Sequence, residues 1–400
     1  MFVYCKLNNF FHIYDGNCIT KSENKPSKGG YLEKSFYDKS KSLDQNLKEY
    51  HKNLIIWFDE VKQGLKKLNL PDSCYESEVQ LMYLLFKIYR KDKKVEYEPI
   101  TYQESIWFDK CNKGGLVYGL KGYYKNVKAY DFKKFYSNIL GHYNTQKKIP
   151  VKEGEFKTIE ELPKDIKHLQ YGIYRVKILS KVNKISCIFG FSKDNYYTHE
   201  DIQYATYLKK LGYIETIELI NDGDYNALVY DELIRCVDIF KTYVGVLNDL
   251  SYEYPKNQVI KSLLSRLWGR LSLKNREAKI SLEKWNDMDE DEKSKYYFLR
   301  QTFEYNKDGT FKGKYLHFVN SSSIFKYNLR LQPFLGSFAR RKMGGQILNN
   351  FDDIIRVQID GVIYKNRKNT RNLEKGLFVY DKKYNNKDIH IKDKKKVGIL

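Results

Sequence analysis

Three short stretches carry side chains that could do chemistry. "NVKAYDF" ends on Asp131 and Phe132, "KNQVIKSLLSRLWGRL" sets Lys261 in a helical pattern, and "RVQIDGVIY" holds Asp360 between two β-prone runs. Carboxylates are hard ligands for divalent cations, and a lysine ammonium is a point charge for phosphate. Each stretch also has a plain reading. Asp-Gly between alternating apolar residues predicts a tight hairpin turn, and a lysine on a helix is ordinarily just solvated. The question is whether Asp360 serves only a turn or is held out at a hairpin tip to bind something.

The surrounding patterns predict the elements that must position these residues. "NVKAYDF" reads as a strand running into "KKFYSNIL", which opens a helix, and a Gly pair, Gly114 and Gly115, precedes it. In residues 256–271 Ile260, Leu263, Leu264, Leu267 and Leu271 form an apolar stripe, while Lys261, Ser265 and Trp268 recur at i, i+4, i+7 on another face. "PFLGSFARRKMGGQILNNF" predicts a helix leading into the Asp360 hairpin. Upstream, Leu54, Phe58, Val61, Leu65 and Leu68 fall at helical spacing, and "YESEVQLMYLLFKIYRK" predicts a second helix behind the candidate caps Asp72 and Ser73. Residues 21–46 read as an exposed connector. Residues 170–230 alternate strand-like "YGIYRVKIL" and "IETIELI" with a helix, "THEDIQYATYLKKLG", bounded by Thr198 and Gly212. Residues 274–315 read as a charge-dense exposed insertion whose acids, "DMDEDE", are too local for a metal site. The stretch Lys365–Lys396 holds 12 Lys or Arg against 4 acids, which suits phosphate contacts.

Composition narrows the function. A chain of 400 residues with 42% hydrophobic residues can bury a sizeable core and is not globally disordered. A net charge of +21 points to a polyanionic partner, of which nucleic acid is the commonest, and 36 Tyr with 22 Phe offer faces for stacking. The six cysteines fall singly, without C-x-x-C spacing, which predicts a reduced intracellular chain with no zinc site. Residues 1–20 lack a signal-peptide pattern and "LMYLLFKIY" is too short to span a bilayer, so the expectation is a soluble protein with no membrane partner. The first 100 residues lack the D-x-E pair of a metal-dependent proofreading exonuclease.

In order and spacing, the three stretches resemble the polymerase motifs of family B DNA polymerases. Motif A, D-x-x-S-L-Y-P-S, looks like "DFKKFYSN" from Asp131; motif B, K-x-x-x-N-S-x-Y-G, like "KSLLSRLWG" from Lys261; and motif C, Y-x-D-T-D-S, like "RVQIDG" ending at Gly361. "NKGGL", "YTHEDI" and "FKTYVGVLNDL" resemble elements of the protein-primed branch found in phages, linear plasmids and related viruses. The resemblance covers about residues 100–385. It implies an α+β, right-hand polymerase fold with an antiparallel palm sheet, an α-helical fingers insertion and a mainly helical amino-terminal region.

The domains it implies are an amino-terminal region over 1–100 and a first palm part with motif A over 101–170. An α/β insertion and fingers with motif B follow over 171–272, then a charged insertion over 273–325 and a second palm part with motif C over 326–385. A basic tail over 386–400 stands where a thumb is reduced or absent.

The resemblance also implies the roles. Asp131 and Asp360, with the Phe132 carbonyl, would hold two Mg²⁺ or Mn²⁺ ions for template-directed transfer of a deoxynucleotide to a 3′-hydroxyl. Lys134, Phe135, Tyr136, Lys261, Ser265 and Lys256 would meet the incoming dNTP, Tyr136 by excluding a 2′-hydroxyl. Gly114, Gly115, Trp268, Gly269 and Arg270 would touch DNA template and primer, and a terminal protein or accessory replication proteins are further partners. Departures are Gln358 for the first motif C aspartate, Gly361 for its serine, Ser265 for Asn and Trp268 for Tyr in motif B, and Lys134 for Ser and Ser137 for Pro in motif A. A viral or plasmid-like replicative role without proofreading is the main expectation. The rivals are a catalytically decayed nucleic-acid-binding relative and a primase or template-independent nucleotidyltransferase.

Overall fold

The computed structural model describes residues 78–400 apart from 143–144, 192–193, 256, 307, 320–322, 366–377, 394–395 and 400; before them it describes 3–7, 10–14, 19–22, 30–31 and residues 42, 45 and 48. The helix expected over 54–68 and the caps Asp72 and Ser73 lie outside the described residues. The chain forms two compact units, Met1–Lys91 with Phe240–Arg270, and Asp92–Ile239 with Leu271–Leu400. The α/β segment expected to group with the fingers therefore folds, up to Ile239, with the second unit.

In the first unit, four short strands, Val3–Leu7, Phe10–Tyr14, Ile19–Ser22 and Gly30–Tyr31, make one sheet, so the amino-terminal region is not simply helical. The helix Glu78–Tyr89 follows the predicted pattern, and its Phe86 stacks on Phe240 at 5.6 Å between ring centroids.

The second unit is organised by a five-stranded antiparallel sheet. Its strands are β1 (Val117–Gly119), β2 (Lys128–Phe132), β3 (Ile354–Gln358), β4 (Gly361–Tyr364) and β5 (Phe378–Tyr380), in the order β5-β2-β4-β3-β1. β4 is apolar after Gly361, whereas β2 and β3 interrupt their buried apolar residues with Asp131 in one and Arg356 and Gln358 in the other. On one face Val127, Ala129, Ile355 and Ile363 pack with Ile389 and Ile391. Those two isoleucines lie in Ile389–Ile391, which pairs with Val397–Ile399 and with Gly122–Tyr124. The residues expected as a basic tail include strands, because their alternating isoleucines complete this core.

The charge-dense insertion is also more ordered than its composition suggests. Glu277–Ser281, Tyr297–Tyr305 and Phe311–Val319 form a three-stranded sheet. Its own small core is Ile280, Met288, Leu316 and Phe318, and Trp285 stacks on Phe318 at 4.1 Å. The acids are spent on a helix start: Asp289 accepts the Glu292 N–H at 2.6 Å.

Two buried ion pairs fix the rest of the unit. Arg330 and Glu104 are both fully buried, with Arg330 also donating to the carbonyls of Glu98, Pro99 and Val151 and Tyr230 donating to Glu104. In the second pair Asp201 lies in the helix His199–Lys210, which Thr198 caps as the sequence predicted, and the structure adds a reciprocal bond from Asp201 that makes it a capping box. Arg340, from the helix Gln332–Ile347, donates Nε to Asp201 Oδ1 at 2.9 Å and Nη2 to Oδ2 at 2.7 Å. No helix among the described residues is long and apolar enough to cross a membrane.

Candidate active site

Strand register brings the two aspartates together. β2 and β4 pair antiparallel with Asp131 opposite Gly361, and the Phe132 N–H donates to the Asp360 carbonyl at 3.0 Å. Asp131 and Asp360 therefore sit at adjacent strand ends although 228 residues separate them in the chain. Gly361 leaves the space this needs: a Cβ there would stand 3.3 Å from Asp131 Oδ1.

The turn is shifted by one residue from the sequence expectation. Gln358 pairs with Gly361, so the two-residue loop is Ile359-Asp360 and not Asp360-Gly361. Ile359 takes the left-handed position at φ 56°, which costs a β-branched residue about 1–2 kcal/mol. It is held there by its N–H, which donates to the Leu116 carbonyl at 2.8 Å, and by Gly115, where a Cβ would come 3.1 Å from Ile359 Cγ1. The Gly pair thus backs the hairpin tip. Gly114 supplies a left-handed residue at φ 67°, and its carbonyl accepts from Arg340 Nη1 at 2.9 Å.

Burial raises the Asp360 carboxyl above its ordinary value. Tyr136 is half-buried; burial first, then the Asp360 charge, pushes its phenol up to about 12, with Arg340 opposing. An open cavity of about 200 Å³ lies at this end of the sheet, lined by Tyr130, Asp131, Arg356, Gln358, Asp360 and Tyr384 among others. Among the described residues no group of three or more His, Cys, Asp or Glu is close enough to hold a metal. Two carboxylates on neighbouring strand ends, one of them desolvated, nevertheless supply the hard-oxygen chemistry that a divalent cation accepts.

Other expected site residues are placed as follows. Lys134 is exposed, sits at φ 49° and leads into the helix Phe135–Gly141. Phe135, expected at the nucleotide, is instead buried with its ring 5.0 Å from that of Phe132, because the left-handed turn at Lys134 directs the first helical residue under the sheet. The helix Gln258–Leu271 exposes Lys261 and Ser265 as expected. Trp268 does not share their exposure: it is buried and meets Phe240 edge-on at 5.3 Å, since it lies four residues after Leu264 and three before Leu271 and joins their apolar stripe. Gly269 is exposed with open space where a Cβ would stand, and Arg270 is half-buried. Lys256 lies outside the described residues.

Sequence reasoning did not single out Arg356, Asp381 and Tyr384 in the cavity or the Arg340–Asp201 pair. The signal available was an arginine in an otherwise apolar strand and another in the middle of an apolar helix.

No protein-family model matches the chain. A DNA polymerase of Kluyveromyces lactis is 25% identical over 260 residues, an overlap taking in 59% of this chain and 25% of that one. In solved structures the chain is similar to phi29 DNA polymerase. The post-translocation binary complex with primer-template DNA matches with a TM-score of 0.51 at 11% identity, over 86% of this chain and 56% of that one. The ternary complex with primer-template DNA and incoming nucleotide substrates matches with a TM-score of 0.50 at 13% identity, over 90% and 61%. The chain therefore has the α+β fold of a polymerase, in line with the motif resemblance to the protein-primed branch, and spans a quarter of the length of the curated relative.

Proposed function

We propose that this chain is the catalytic core of a template-directed DNA polymerase of the protein-primed family B kind, extending a 3′-hydroxyl with deoxynucleotides. The observation that carries the reading is the register that sets Asp131 opposite Gly361, so that two carboxylates distant in sequence flank one cavity. Two Mg²⁺ or Mn²⁺ ions, when bound, supply activation of the attacking hydroxyl and neutralisation of the triphosphate. Asp131 and Asp360 hold them. The Phe132 N–H already donates toward the hairpin, and in an extended strand its carbonyl lies on that same edge, where it serves as a further ligand.

The other side chains bind and orient. Tyr136, close enough to feel the Asp360 charge, closes the sugar position against a 2′-hydroxyl. Lys134 offers an exposed side chain to the triphosphate, and Gly114 and Gly115 let the DNA backbone approach near the hairpin tip. DNA template, primer and dNTPs are the substrates, and synthesis proceeds without proofreading on a small viral or plasmid-like genome.

The test is extension of a primed DNA template with Mg²⁺ or Mn²⁺, comparing the natural chain with Asp131→Asn and Asp360→Asn. Lanes lacking primer or template separate a primase or template-independent activity. Template-directed growth lost in both variants is expected; DNA binding with no incorporation under either metal would replace this reading with a non-catalytic one, in which Gln358 marks a site that has lost a ligand.

A further inference from the structure

Arg356 is 7% exposed, lines the cavity beside Asp131 and Asp360, and stands where the motif C pattern has tyrosine. Its Nη2 donates to the side-chain oxygen of Gln358, the residue that stands where the pattern has its first aspartate. Among the described residues its Nε finds no acceptor, and the guanidinium enters no ion pair. Asp381 and Asp393 favour its charge from a distance but form no ion pair with it, and each turns its Oδ1 to a backbone N–H, of Lys383 at 2.8 Å and of Lys396 at 2.9 Å. A buried guanidinium left without a carboxylate is costly, so its retention at a cavity calls for an anion.

Position says which anion. Arg356 pairs with Ile363, and Ile363 with Ala129, two residues before Asp131 on β2. At about 3.4 Å per residue this sets Arg356 roughly 7 Å from the aspartate row, on the side away from Lys134 and Tyr136. The triphosphate side of the proposed reaction lies past the end of β2. Arg356 lies on the opposite, primer side.

We propose that Arg356, braced by Gln358, is a phosphate-binding residue for the primer strand, taking the phosphodiester next to the reactive 3′-hydroxyl. The proposal rests on the polymerase reading above. Exchanging Tyr and Asp for Arg and Gln makes this end of the site more positive by two charges, and a guanidinium fork suits phosphate oxygens. Gln358 is then a brace for the arginine in a site that keeps two carboxylates.

The experiment combines Arg356→Gln and Arg356→Lys with a primer whose terminal phosphodiester is a neutral methylphosphonate. With the natural chain, the neutral primer is expected to raise KM for primer-template by about tenfold, the loss of one charge-assisted hydrogen bond. Arg356→Gln should raise it equally on the ordinary primer, leave KM for dNTP unchanged, and be insensitive to the methylphosphonate. Arg356→Lys should fall between. If Arg356→Gln remains as sensitive to the methylphosphonate as the natural chain, or alters KM for dNTP or inhibition by pyrophosphate instead, the assignment is wrong. Gel-shift affinities for the same primers without metal give the same comparison independent of catalysis. A chain that extends nothing but loses affinity for the neutral primer only when Arg356 is present would refute the polymerase reading and keep the phosphate site.

Discussion

Arg340→Met is expected to damage the fold and the hairpin support together. Arg340 is 3% exposed and makes three hydrogen bonds, two to the Asp201 carboxylate and one to the Gly114 carbonyl. Methionine roughly fills the space but leaves Asp201 buried with only the Thr198 N–H and hydroxyl as partners. Breaking one side of such a pair costs about 3–5 kcal/mol, and the Gly114 carbonyl adds about 1. With an m-value of about 1–3 kcal/mol per molar urea, the unfolding midpoint should drop by at least about 1 M. Asp201→Leu in the same background should recover much of the loss, although it also removes the capping box at about 1 kcal/mol. Urea unfolding of the four chains of this double-mutant cycle gives the coupling, expected near 3 kcal/mol. A single-variant loss under about 1 kcal/mol, or simple additivity, would refute the argument that this pair anchors the Gly114 loop.

Three further outcomes are expected. Asp360→Asn should abolish incorporation yet stabilise the protein: burial raises the carboxyl's pKa, so the charged form is penalised above that raised value, and the gain from Asn should vanish as pH falls below the ordinary 3.8. Thermal unfolding against pH checks this, and added Mg²⁺ should stabilise the natural chain but not the variant. Trp268→Ala should cost about 3–5 kcal/mol in urea unfolding, the cost of a core cavity, whereas a DNA-contact role alone would change affinity and leave stability intact. Ile359→Gly should shift stability by less than about 1 kcal/mol, because relief of the left-handed strain offsets lost burial and added chain entropy; Ile363→Gly in the adjoining strand should cost at least about 3, and equal losses would contradict the strain at Ile359.

What was legible in the sequence was what is written locally. The strand at "KAYDF", the Thr198 N-cap and the amphipathic helix around Lys261 depend on periodicity and caps within a few residues, and the structure has them. The turn was misread by one residue because Asp-Gly is the locally preferred turn, while long-range contacts from Leu116 and Gly115 force Ile359 into the left-handed position. Trp268 looked like a partner of Lys261 because i, i+4, i+7 describes a face, but an indole near the edge of that face is drawn into the apolar stripe. Arg340 and Arg356 showed locally only as charges among apolar residues, and nothing local named their partners or that of Arg330. What each does depends on elements far away in sequence, such as Asp201, Glu104 and the strand opposite.

β2 has β4 on one side and β5 on the other, both encoded more than 200 residues later. A ribosome adding about 5–20 residues per second needs roughly 12–50 s to make that stretch. Throughout that interval the nascent Lys128–Phe132 segment lacks both of its native neighbours and its backbone edges stay open to wrong pairing. Asp131 is among the earlier parts of the site to be synthesised and must be among the last to become competent. Fragments ending before residue 361 should therefore be inert whatever their stability, and a chaperone that shields this segment would raise the yield of active protein more than any stabilising substitution in the helices.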